Sequence, residues 1–162
     1  ILPSGRIATL SVGSVPLANI HFIGGEVQTT TCTVNTPVTQ VSFGTEFIQR
    51  FKNKGDSAGE TTFNINVQCQ SRLLKPALIF EGNTDADNQT VFKNNSGPGY
   101  AKGVGVQLLK DSKVVTPREI ISLGTVTTAA TDHAFSARLV RLDDNMTPGA
   151  IDTSVVFTLY YQ

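Results

Sequence analysis

The sequence predicts an all-β protein folded as a two-layer sandwich, and three observations point there. Short runs rich in Val, Ile, Thr and Phe alternate with Gly, Pro and Asn punctuation along the whole 162 residues. No run of Leu, Glu, Lys and Ala keeps a 3.6-residue period beyond about two turns, so nothing reads as a helix. About eight to ten strands at this spacing close most readily around a single core as a sandwich.

Taken in order, residues 7–12 and 20–28 are β-rich and are separated by Gly13-Ser14-Val15-Pro16. Residues 30–34 carry Cys32, and a strand over 38–43 follows Asn35-Thr36-Pro37. Residues 51–60, with the run KNKGDSAGE, read as a polar loop. The clearest alternation lies at 61–69, where Phe63, Ile65, Val67 and Cys69 share one face and Thr62, Asn64, Asn66 and Gln68 the other. That is the pattern of a half-buried strand with its cysteine inward. A strand over 77–80 precedes a long polar connection over 81–99. In 103–109, Val104, Val106 and Leu108 share a face, and Asp111-Ser112 turns the chain into 113–115. Strands over 120–123, 133–142 and 153–160 complete the set, with a loop over 143–149. In 133–142, Phe135, Ala137 and Leu139 alternate with Ala134, Ser136 and Arg138. There is no internal repeat, and only residues 11–18 have the composition of a hinge.

Thirteen Lys and Arg balance thirteen Asp and Glu, for a net charge of zero. Such a chain has no long-range pull on phosphate backbones or anionic lipid, which argues against nucleic-acid and membrane partners. No stretch approaches the roughly 18–20 apolar residues of a membrane helix, so no membrane insertion is expected. Starting at Ile1 without an initiator Met or a signal-type segment, the sequence reads as a processed or excised product.

Cys32 and Cys69 are the two cysteines, spaced neither as a CxxC motif nor as a zinc cluster. The expectation is one disulfide, with two free buried thiols as the alternative. A disulfide implies an oxidising compartment such as a periplasm or cell exterior. Trp is absent, which excludes an antibody-type core Trp packed on the bridge.

The other chemistry-bearing residues form no constellation. His21 and His133 stand apart from each other and from the cysteines, as ordinary strand or turn histidines do. Ser11-Val12-Gly13-Ser14 and Gly103-Val104-Gly105 supply neither a nucleophile elbow nor a dinucleotide fingerprint. Asp85-Ala86-Asp87-Asn88 and Asp143-Asp144-Asn145 are oxygen-rich but do not fit the twelve-residue calcium loop, so they read as solvated turns. Arg138 and Arg141 read as solvent-facing charges. No catalytic residue, metal or cofactor is predicted, and an enzyme is disfavoured.

The C-terminus is the most informative segment. Val155, Phe157, Leu159 and Tyr161 form an apolar row reaching the penultimate residue, and a chain end apolar along one face needs something to cover it. Gly149 stands thirteen residues before the end. A Gly at that distance, a penultimate aromatic and an alternating tail resemble the C-terminal signature of chaperone–usher pilins. Phe22-Ile23-Gly24-Gly25-Glu26-Val27 ahead of Cys32 resembles their first strand, and Cys69 falls where their second cysteine does. Gly103-Val104-Gly105-Val106-Gln107-Leu108 resembles the family's middle strand. Ser122-Leu123-Gly124-Thr125-Val126 is similar to the C-terminal pilin domain of a type 1-like tip adhesin. The resemblance covers 20–162, and its strength lies in five motifs occurring in the right order.

The resemblance implies an immunoglobulin-like sandwich, the pilin fold, lacking its final strand and carrying one disulfide. It implies a pilin domain over 20–162 preceded by an N-terminal extension over 1–19. The open slot beside the C-terminal strand would be filled by an added strand, from a periplasmic pilus chaperone and later from a neighbouring pilus subunit, with an outer-membrane usher as a further partner. Gly149, Val155, Phe157, Leu159 and Tyr161 would form the chaperone-binding edge and one wall of the groove. The implied destination is an extracellular pilus, reached through the periplasm of a Gram-negative bacterium.

The N-terminus departs from the family's donor pattern. Leu10 and Val12 lie on one phase, Gly13, Val15 and Leu17 on the other, and Pro16 removes a ladder donor. Gly13, Val15 and Leu17 could donate a strand; equally, the segment could be the last strand and linker of a preceding receptor domain. The alternative to a pilus subunit is a self-contained sandwich lectin binding a host glycan, which calls for aromatics in the long loops, where Tyr100 and Phe92 stand.

Overall fold

A computed structural model describes residues 6–9, 19–23, 32–35, 38–42 and 48–161. Its strands are β1 (Arg6–Thr9), β2 (Asn19–Ile23), β3 (Cys32–Val34), β4 (Val38–Ser42), β5 (Ser57–Cys69) and β6 (Pro76–Gly82). They continue with β7 (Val91–Lys93), β8 (Val104–Lys110), β9 (Lys113–Val114), β10 (Ile121–Ser122), β11 (Thr131–Arg141) and β12 (Ser154–Tyr161). A single 3-10 turn, Ile48–Arg50, is the only helical element among the described residues.

The strands form two sheets. One runs β10-β6-β12-β1-β2-β4; the other runs β3-β5-β11-β8-β7, with β9 folded back onto β8. Alternation explains why they stack. Phe63, Ile65, Val67 and Cys69 of β5 and His133, Phe135, Ala137 and Leu139 of β11 are buried, while the residues between them face outward or are half-buried. Leu78 and Phe80 of β6 and Val155, Phe157 and Leu159 of β12 supply the facing row. Four phenylalanines cross the interior: Phe63 stacks on Phe135 at 5.7 Å, Phe135 meets Phe80 edge-on at 5.5 Å, and Phe80 reaches Phe157 at 6.1 Å. These contacts tie the central strands of the two sheets together.

Cys32 and Cys69 are bonded and lie directly opposite each other in the β3–β5 pair. The expected disulfide is therefore present, and it fastens a three-residue edge strand to the longest strand of the sheet.

Two segments differ from the expectation. Residues 57–60, expected in a polar loop, open β5 instead. A register shift between Ala137 and Leu139 lets β11 continue pairing there, with Ala58 opposite Leu139 and Ser57 opposite Val140. The polar connection expected over 81–99 contains β7, which pairs with β8 through Val91–Gln107, Phe92–Val106 and Lys93–Gly105. In both places strand formation comes from a distant partner and not from local alternation. Arg138 and Arg141 are not free surface charges. Arg138 Nε donates to Gln107 Oε1 at 2.8 Å, and Arg141 donates to the carbonyls of Phe51 and Asp143.

Candidate strand-docking edge

The row read from the sequence lies on β12 as expected: Val155, Phe157 and Leu159 are buried, while Val156, Thr158 and Tyr160 are half-buried and Ser154 is exposed. One side of β12 is fully occupied by β6, antiparallel from Val155–Gly82 through Tyr161–Pro76. On its other side lies β1, antiparallel, with Arg6 opposite Phe157, Ile7 opposite Val156, Ala8 opposite Val155 and Thr9 opposite Ser154. β1 also reaches β2, where Thr9 pairs with His21. The slot between β12 and β2 thus holds a strand drawn from ahead of residue 20. Among the described residues no strand lies on that side of 158–161.

The entry of the chain into β12 is fixed by a clasp that the sequence does not announce. Asn94 Nδ2 donates to the carbonyls of Ala101 and Ala150, each at 2.9 Å, and its Oδ1 accepts the Asp152 N–H at 2.7 Å. Thr153 Oγ1 donates to the Lys93 carbonyl at 3.1 Å. One amide side chain satisfies three backbone groups of two segments that lack a full ladder. Asn94 sits in a polar run whose composition reads as loop, so only the folded chain reveals its part.

Gly149 is not on β12 itself. It lies ahead of β12 against the loop 99–101, where a Cβ would come within 2.5 Å of the Ala101 nitrogen and the Tyr100 carbonyl carbon. Ala101 N–H donates to Ala150 and Ala150 N–H to Gly99, both at 2.8 Å, so two backbones touch with no room for a side chain. Val155, Phe157 and Leu159 are brought together; Tyr161 continues the strand opposite Pro76. Gly13, Val15 and Leu17 lie outside the described residues.

At the same end of the sandwich a polar cleft of about 400 Å³ is lined by Lys54, Asp87, Lys93, Asn95, Lys102 and Asp143, among others. Asp85 Oδ2 accepts the N–H groups of Asp87 and Asn88, which makes that acidic run a self-capped turn. Among the described residues no group of three or more His, Cys, Asp or Glu is arranged to hold a metal ion.

A disulfide-pinned, all-β two-sheet sandwich of this kind has the immunoglobulin-like fold of pilins. The chain belongs to the fimbrial protein family, whose model matches residues 21–162. It is 26% identical over 107 residues to the type 1 fimbrin D-mannose specific adhesin of Escherichia coli, covering 66% of this chain and 35% of that protein. It is 27% identical over 133 residues to a fimbria adhesin protein of Klebsiella pneumoniae, covering 75% of this chain and 41% of that one. The chain therefore spans well under half the length of these two relatives. Among solved structures, the P pilus rod subunit PapA superposes with a TM-score of 0.70 at 15% identity, over 82% of this chain and 99% of that one. That likeness is one of fold. Fimbrial proteins are structural, non-enzymatic components of extracellular pili.

Proposed function

We propose that this chain is the pilin domain of an adhesive pilus subunit, assembled by donor-strand complementation and exchange along β12. The observation that carries the reading is the pairing of β12 with a strand from outside the body 20–162. Backbone hydrogen bonds along the β12 edge supply affinity, and the period-two row of Val155, Phe157, Leu159 and Tyr161 sets the register. Residues 1–19 act as an extension separate from the body, serving either as donor strand through Gly13, Val15 and Leu17 or as the end of a preceding domain with its linker. The partial coverage of two adhesins favours the second role. A periplasmic chaperone strand, the usher and a neighbouring subunit are the partners of this edge.

The test is a body lacking residues 1–18. It should aggregate or fail to fold alone, and a pilus chaperone or an added peptide with alternating apolar residues should rescue it as a one-to-one complex. A monomeric, reversibly unfolding body that ignores both would overturn the reading.

One observation favours a second reading, glycan recognition: Tyr100 lines a depression beside the polar cleft, which pairs an aromatic face with hydrogen-bonding groups. Binding on a glycan array that is lost in Tyr100→Ala would establish it. An array left blank by the intact chain would dismiss it.

A further inference from the structure

His133 occupies a core position that disfavours a charged group. It lies on the inward row of β11, 8% exposed, directly opposite Ile65 of β5 and two residues from Phe135. Its Nε2 is sealed from solvent and has no hydrogen-bond partner. A neutral imidazole tolerates this, because its single hydrogen can reside on Nδ1 and leave Nε2 as a bare lone pair. Protonation removes that freedom: both nitrogens become donors, and one would be a buried N–H with no acceptor on a charged ring.

The surroundings reinforce the preference. The neighbours of Ile65 on β5 are Asn64 and Asn66, neither titratable, and the facing rows of β6 and β12 offer Leu78, Phe80, Phe157 and Leu159. Two charged groups act on the imidazole. Lys110, at the end of β8 with its Nζ 5.8 Å from the Phe135 ring centre, opposes a second positive charge. Asp132 favours one, but its carboxylate also accepts a hydrogen bond from Asn66 Nδ2 at 2.7 Å. Burial, then Lys110, outweigh Asp132, and together they hold His133 below its ordinary value of 6.5.

We propose that His133 is a built-in acid-responsive element of the sandwich, neutral and silent near neutrality and disruptive to the packing of β11 against the facing sheet once protonated. The element acts on the body of the fold and does not depend on what occupies the β12 edge. The sign follows from linkage. The unfolded chain takes up the proton more readily than the folded one, so stability is complete above 6.5 and declines as pH falls toward the folded value. Below that value no further loss comes from this group. One proton limits the fall in the folding constant to about tenfold per pH unit.

Two measurements on the intact chain test this. Urea unfolding of the native protein and of His133→Leu, at several values between pH 7.5 and 5.5, should show a decline in the native folding constant that the variant lacks. His21, the other histidine, is present in both proteins and cancels in the comparison. Should the variant fail to fold, titration of the imidazole proton resonances in the native protein gives the answer alone: His133 should titrate below 6.5. An imidazole that titrates at or above 6.5 in the folded chain, or a variant with the native pH dependence, overturns the proposal.

Discussion

Breaking the Cys32–Cys69 bond should cost this fold about 4 kcal/mol. The two residues are 37 apart in sequence, and releasing a loop of that size returns roughly 4 kcal/mol of chain entropy to the unfolded state. The structure shows why little would compensate. β3 is three residues long and lies at the edge of its sheet, with Thr33–Gln68 and Val34–Val67 as its remaining cross-strand pairs. Without the covalent tie β3 should be the first strand to open. Set against the roughly 5–15 kcal/mol that holds a domain of ordinary stability, this loss leaves a marginal protein. Urea unfolding of the oxidised chain, the reduced chain and the Cys32→Ala, Cys69→Ala double variant measures it. The two forms lacking the bond should agree with each other and unfold at much lower urea. Their transitions should also be steeper in urea, since a chain without the cross-link exposes more surface when unfolded. An oxidised form whose stability lies within about 1 kcal/mol of the forms lacking the bond would refute the entropic account.

Other substitutions probe β12 and its supports. Phe157→Ala empties the end of the phenylalanine ladder and should cost about 3–5 kcal/mol, whereas half-buried Thr158→Ala beside it should cost under about 1 kcal/mol; denaturant midpoints compare them. Gly149→Ala forces a methyl to within 2.5 Å of the 99–101 backbone and should cost about 1–3 kcal/mol; an unchanged melting temperature would show that the loop yields freely. Buried Gln107 accepts from Arg138 Nε and donates to Thr90 Oγ1, each at 2.8 Å, so Gln107→Leu should lose about 1–3 kcal/mol. Adding Arg138→Met should restore part of that loss in a double-mutant cycle, because the stranded guanidinium is then gone.

What was legible in the sequence was whatever local alternation encodes. β5 from Phe63 onward, β11 around Phe135 and β12 around Phe157 each announce an inward row, and the bond is read from two cysteines that match neither a CxxC nor a zinc spacing. β7 was not legible, because Val91 and Phe92 are an isolated apolar pair whose strand character comes from β8, a partner further along the chain. Ser57 and Ala58 carry no strand signal; the far end of β11 and its register shift recruit them. Gly149 looked like part of a terminal signature, but its requirement is backbone contact with residues 99–101, which no period reveals. Asn94 and Arg141 act through carbonyls, and carbonyls have no sequence identity. The apolar row of β12 is legible because such rows are written in side chains, while the contacts that hold it in place are written in the main chain.

β1 has four residues and is joined to β2 through residues 10–18. A strand carried on the same chain as its partner pairs at an effective concentration on the order of millimolar. A free competitor at micromolar concentration therefore begins about a thousandfold behind. It recovers the deficit by making more ladder bonds than the four described residue pairs, Arg6–Phe157 to Thr9–Ser154, give β1. A chain wired in this way resists accidental pairing when dilute.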